Sequence, residues 1–235
     1  MSKFWNFIKN SESEGELQIY GDISETSWYG DEVLPKDFKK DLDALGDISE
    51  LKVFINSGGG DVFAGQAIYT MLKRHKANVT VYVDGLAASI ASVIAMAGDK
   101  VIMPKNAMMM IHNPWTIGIG NSTDFRKLAD DLDKINESIK TTYLDKASVE
   151  EDKLIELMNA ETWLTADDCI KYGFADEVEE SKKVAATLDK KFFNSYKNIP
   201  KELKNEKPTE EPPPPPEKIP QDNSKEKLLL EIDLI

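Results

Sequence analysis

The sequence predicts an α/β layer architecture built on one domain, and three observations carry that prediction. Between residues 17 and 178, short β-branched runs alternate with stretches whose apolar residues recur at helical spacing. A triple glycine, Gly58-Gly59-Gly60, separates the first clear strand from the helix after it, as a tight loop there requires. A length of 235 residues supports one substantial core and not a second of full size.

Taken in order, residues 51–56 (LKVFIN) and 79–83 (VTVYV) read as strands, the first of them buried. Between them, Phe63, Ala67, Ile68, Met71 and Leu72 line one face of a helix over 63–75. The result is a strand–loop–helix–strand unit whose crossover should be right-handed. A second unit follows, with strand 79–83, a helix over 86–97, and strands near 101–103 and 107–111. A long amphipathic helix over 123–146 carries Phe125, Leu128, Leu132, Ile135, Ile139 and Tyr143 as one stripe. It is long enough to project toward another subunit or to lie along its own domain. Ser148-Val149-Glu150-Glu151 is a capping-box pattern opening a helix that ends near Met158, and Thr165 caps a short third helix.

Beyond residue 180 polar and charged residues dominate, with five consecutive prolines at 212–216. An extended, mostly disordered spacer is expected there, ending in KEKLLLEIDLI as a docking peptide or a frayed terminus. The boundaries are therefore a domain at 17–180 and an acidic, proline-rich tail at 181–235.

Composition excludes several functions. Forty-two acidic against 29 basic residues give a net charge of −13, which disfavours nucleic acid as a partner. Cys169 is the single cysteine, so neither an internal disulfide nor a cysteine metal cluster can form; in an apparent helix it reads as a small buried hydrophobe. The most apolar stretch, 86–98, falls short of the roughly 20 residues a bilayer span needs. With no signal-peptide pattern at the start, no membrane partner and a cytoplasmic location are expected.

Three groups of residues could carry chemistry. Ser89 lies in Gly85-Leu86-Ala87-Ala88-Ser89-Ile90-Ala91, where small neighbours admit a close backbone and a helix start offers free amides to an oxyanion. By this segment alone Ser89 could equally be a small packing residue. Asn56-Ser57-Gly58-Gly59-Gly60-Asp61 follows a strand and reads as either a flexible turn or an anion nest. It matches neither a P-loop nor a dinucleotide fingerprint. His112 ends the apolar strand in Met110-Ile111-His112-Asn113-Pro114, a good position for a base, whereas His75 sits in a solvated Lys73-Arg74-His75-Lys76 helix end. One well-placed histidine makes a histidine metal site improbable, and a serine nucleophile needs such an adjacent base. No cofactor is implied.

These motifs, in their order and spacing, resemble the Clp peptidase family over residues 18–179. Trp163-Leu164-Thr165-Ala166 with Tyr172-Gly173-Phe174-Ala175-Asp176 extends the match. The resemblance implies a crotonase-like βαβ spiral, a homo-oligomeric ring with helix 123–146 as a projecting handle, and protein substrates cut by ATP-independent serine peptidase chemistry. By position it makes Ser89 the nucleophile, His112 the base and Glu161 the third triad member. The amides of Gly59, Gly60 and Ile90 would form the oxyanion hole. Four departures stand out: Gly58 where the family has proline, Glu161 where it has aspartate, an unfamiliar N-terminal part and the proline-rich tail. Asp167 and Asp168 are fallbacks for the acid. The last two departures are more similar to Clp-related head-maturation proteases of tailed phages, which cut scaffold and capsid proteins in the prohead. The alternatives are a cellular Clp subunit served by an ATP-driven unfoldase, a crotonase-like acyl-CoA enzyme, and a non-catalytic assembly protein.

Overall fold

A computed structural model of the chain describes residues 3–24, 35–180 and 196–200. Its first compact unit runs to Pro200; the second, from Lys201, lies outside the described residues, as does the expected proline spacer.

Among the described residues, eight strands form one mixed sheet. β1 (Trp5–Lys9) and β2 (Glu14–Tyr20) make an antiparallel hairpin on one edge. β2 then pairs in parallel with β3 (Glu50–Ser57), and β3 with β4 (Asn78–Ala88). β5 (Lys100–Pro104) takes the far side of β4 and is followed by β8 (Glu177–Glu179). The sheet therefore begins ahead of the expected boundary at 17, with Trp5 buried among Phe4, Phe7 and Phe38. That hairpin has no long β-branched run, which is why periodicity alone passes over it.

Buried strands alternate cleanly: Leu51, Val53 and Ile55 on β3, and Val79, Val81 and Val83 on β4, are almost wholly enclosed. α2 (Val62–Lys73) crosses between these strands, with Asp61 capping it through the Ala64 N–H at 2.8 Å. α1 (Pro35–Asp43) packs near α2.

The region after β4 departs from expectation. In place of a helix over 86–97, β4 continues to Ala88 and α3 covers only Ile90–Ala95. Between Ile55/Val83 and Ser57/Ala87 the register slips, so β4 has two residues more than β3 there. Such a bulge re-aims a strand. Before it β4 pairs with β5; after it, Leu86–Ala88 pair in parallel with Met108–Met110 of β6 (Met108–Ile111). The small residues Ala87 and Ala88 mimic a helix start in sequence, but both ladder partners fix them as strand. β6 pairs antiparallel with β7 (Thr162–Thr165).

The long helix, α4 (Ser122–Lys146), buries only Ile139, Lys140, Thr142 and Tyr143, so its N-terminal part projects from the body. At its rooted end Lys140 pairs with Glu137 and with Glu151 of α5 (Glu151–Asn159), at 2.8 Å each. The Ser148–Glu151 capping box does not form: Glu150 is the N-cap and makes no side-chain cap bond. Thr165 does cap α6 (Ala166–Tyr172), reciprocally with Asp168. Cys169 on that helix is fully buried, and burial pushes its thiol pKa up, consistent with an inert packing role.

Tyr143 anchors α4 to the core beside the cleft. Its hydroxyl lies 2.7 Å from Ser92 Oγ, while Ser92 donates to Ser89 O at 2.5 Å. With the single Ser92 proton so committed, Tyr143 is the donor between them. Tyr143→Phe should therefore cost about 1 kcal/mol in denaturant unfolding, with no change in fold.

Candidate active site

Strand register brings the site together. Ala88 of β4 lies beside Met110 of β6, and the Ser89 N–H donates to Met110 O at 2.9 Å. The residues just past these adjacent strand ends, Ser89 and His112, therefore emerge side by side. His112 Nε2 stands 2.8 Å from Ser89 Oγ. This is the nucleophile–base distance that acyl-transfer chemistry requires.

Ser89 is not in the first turn of a long helix, as the sequence suggested, but is the single bent residue between β4 and α3. Its φ of 55° and ψ of −128° are unusual for a residue with a side chain. Among the described residues, Ser89 and Glu161 (φ 49°) are the two non-glycine positions with positive φ. Backbone strain held by surrounding structure clusters at functional sites, and here it falls on two of the three expected triad positions. With only six residues, α3 has little macrodipole; what it offers is the Ile90 N–H itself.

The glycine loop forms the opposite wall of a cleft of ≈190 Å³ that also includes Val62, Pro114, Trp115 and Tyr196. Ser57 ties the loop down, donating to Gly21 O at 2.6 Å and accepting from the Gly59 N–H at 3.1 Å. The Gly59 amide is thus engaged within the loop, a correction to its expected place in the oxyanion hole. The N–H groups of Gly60 and Ile90 have no partner among the described residues. What Gly59 supplies is its missing side chain, since a Cβ there would lie 2.7 Å from Ser89 Cβ.

The acid position is close but separately engaged. Glu161 follows α5 and precedes β7, and its Oε1 accepts from the N–H groups of Lys197 (2.6 Å) and Asn198 (2.7 Å). No hydrogen bond or ion pair joins it to His112 among the described residues. The fallbacks serve elsewhere: Asp168 accepts from the Thr165 hydroxyl at 2.6 Å and Asp167 lies exposed in the first turn of α6.

Burial holds the His112 pKa below its usual 6.5, with the Glu161 carboxylate opposing that shift. A lowered pKa keeps the imidazole neutral, hence basic, across the neutral range. The acid limb of kcat/KM should have its midpoint below 6.5, rising as His112 loses its proton. Glu161→Gln removes the charge that raises the pKa, so the limb should move to lower pH; pH–rate profiles of both forms check this.

The sequence places Tyr196 in the tail, yet it lines this cleft. Its ring meets His112 edge-on at 5.6 Å and Trp163 at 5.8 Å, and its hydroxyl donates to Gly58 O. The one available signal was an aromatic run, Phe192-Phe193-Asn194-Ser195-Tyr196, in otherwise polar sequence. No group of His, Cys, Asp and Glu suited to a metal ion occurs among the described residues. Likewise, none of their helices is long and apolar enough to cross a membrane.

With this geometry in view, comparison with known proteins is direct. The family model described as Clp protease matches residues 40–182. The ATP-dependent Clp protease proteolytic subunit of Deinococcus radiodurans is 32% identical over 140 residues, covering 58% of this chain and 68% of that protein. The proteins of the same name from Bacteroides fragilis (31% over 140 residues, 58% and 67%) and Ligilactobacillus salivarius (33% over 145 residues, 60% and 73%) are similar to the same extent.

Proposed function

The chain belongs to the Clp protease family, and from that premise we propose that it is a serine endopeptidase with Ser89 as nucleophile and His112 as base. The 2.8 Å contact between Ser89 Oγ and His112 Nε2 carries the reading. Ser89 Oγ attacks the scissile carbonyl carbon as its proton passes to Nε2. The oxyanion that forms is held by the N–H groups of Gly60 and Ile90. His112 then returns the proton to the departing amine as the C–N bond breaks, leaving an acyl-serine. Water, deprotonated by the same nitrogen, cleaves that ester and frees Ser89. Glu161 is the third member, stabilising the imidazolium through its charge.

The projecting part of α4, with Phe125 exposed on it and Ile117 and Ile119 exposed just before it, supports assembly with further copies into a ring, the handle contacting a neighbour. Within the family, the unfamiliar N-terminal part and the proline-rich extension favour a head-maturation role, with phage scaffold and capsid precursors as substrates. The relatives, named as ATP-dependent subunits, favour a second reading: a cellular peptidase fed by an unfoldase. Co-expression with capsid precursor, and separately with a Clp ATPase and an unfolded substrate, decides between them. Processing of the precursor without the ATPase is expected; cleavage seen only with the ATPase overturns the head-maturation role. Fluorophosphonate labelling at Ser89, lost in Ser89→Ala, counts against an acyl-CoA enzyme or inert scaffold.

A further inference from the structure

We propose that residues 196–200 are an internal plug that holds this site in a latent state, an inference that rests on the Ser89–His112 reading. Three sets of contacts seat the segment. Tyr196 enters the cleft between the glycine loop and His112, its hydroxyl on Gly58 O and its ring edge-on to the imidazole. Lys197 and Asn198 place both their N–H groups on Glu161 Oε1, and the Asn198 side chain donates to Ala160 O at 2.8 Å. Ile199 is buried at 6% exposure.

The contacts of Tyr196 and of the Lys197 and Asn198 amides oppose catalysis. The aromatic ring fills space that a substrate must occupy to bring a carbonyl to Ser89 Oγ while staying clear of His112. Two charge-assisted bonds fix the Glu161 carboxylate on the plug, where it makes no hydrogen bond to the imidazole. Burial of the Tyr196 ring beside the imidazole also pushes the phenol pKa up to about 12. A structural staple would need none of these to coincide with the reacting groups. The segment engages Gly58, His112 and Glu161, which are far apart in sequence.

A substrate must therefore displace the plug, and its affinity is reduced by the fraction of molecules already open. In the full-length protein, Tyr196→Ala removes the ring while leaving the catalytic groups intact. If the open form is about a tenth of the population or less, Ser89 should react with a fluorophosphonate at least ~10-fold faster in the variant. Amide hydrogen exchange gives an independent reading. The Lys197 and Asn198 amides should be protected in the wild-type protein and lose that protection in Tyr196→Ala. Free exchange of these amides in the wild type, or labelling of the variant no faster than wild type, overturns the plug. Protected amides with no labelling of either form overturn instead the Ser89 reading, and latency with it.

Discussion

Ser89→Ala and His112→Ala should each abolish peptide-bond cleavage, lowering kcat by about 10⁴–10⁶-fold. The size follows from their contact: at 2.8 Å the two residues act as one unit, with the imidazole useless without the hydroxyl and the hydroxyl weak without the base. The double variant should consequently be no worse than either single one. Stability should change little in Ser89→Ala, because alanine meets the same positive φ and the lost hydroxyl bonds only to groups of the cleft, His112 and Tyr196. Glu161→Ala should cost much less, since its carboxylate reaches His112 through charge and not through a hydrogen bond. The measurement is hydrolysis of a peptide substrate, best made also in the Tyr196→Ala background so that the plug does not mask the wild-type rate. Activity of Ser89→Ala within tenfold of its parent would remove Ser89 from the mechanism.

The site was legible in sequence because its parts sit at strand ends. The β-branched run of β3 and the Met-rich run of β6 mark where their strands stop, and Gly58-Gly59-Gly60 and His112 follow at once. Two things were hidden. The alanines before Ser89 favour helix locally, and only the ladders to Ser57 and to Met108–Met110 hold them extended. This ladder converts Ser89 from a helical residue to a strained bend, and the strain is what aims its Oγ at His112. Tyr196 was hidden for a different reason: its burial depends on partners distant in sequence, Trp163 and His112 for its ring and Gly58, 138 positions away, for its hydroxyl. No local pattern encodes such contacts. The Ser148–Glu151 box fails for a similar reason, as the Ser148 N–H is committed to Tyr172 O across the turn.

Gly59→Ala and Gly60→Ala should damage the protein in different ways, which tests whether the glycine loop is a working surface or only a turn. At Gly60 (φ 147°) a Cβ would come to 1.9 Å from the carbonyl oxygen of Ile23, a backbone atom held on both sides. Ile23 donates to Gly59 O at 2.8 Å and accepts from the Asp61 N–H at 2.7 Å, so the clash breaks this bridge. Strain of about 1–3 kcal/mol and two bonds at ~1 kcal/mol each give roughly 3–5 kcal/mol, a large part of a typical 5–15 kcal/mol stability. A fall in Tm of about 6–20 °C is expected. At Gly59 (φ 99°) the new Cβ instead meets Ser89 Cβ at 2.7 Å and Ala88 O at 2.8 Å. Relief there must move Ser89, and with it the 2.8 Å contact to His112. A displacement near 1 Å in such a pair costs ~10²-fold in rate. Gly59→Ala should therefore lose about two orders of magnitude in kcat/KM for a smaller Tm shift than Gly60→Ala. Were Gly59→Ala to keep full activity, Ser89 could not be held in place by the loop, and the cleft opposite His112 would have to accommodate substrate without it.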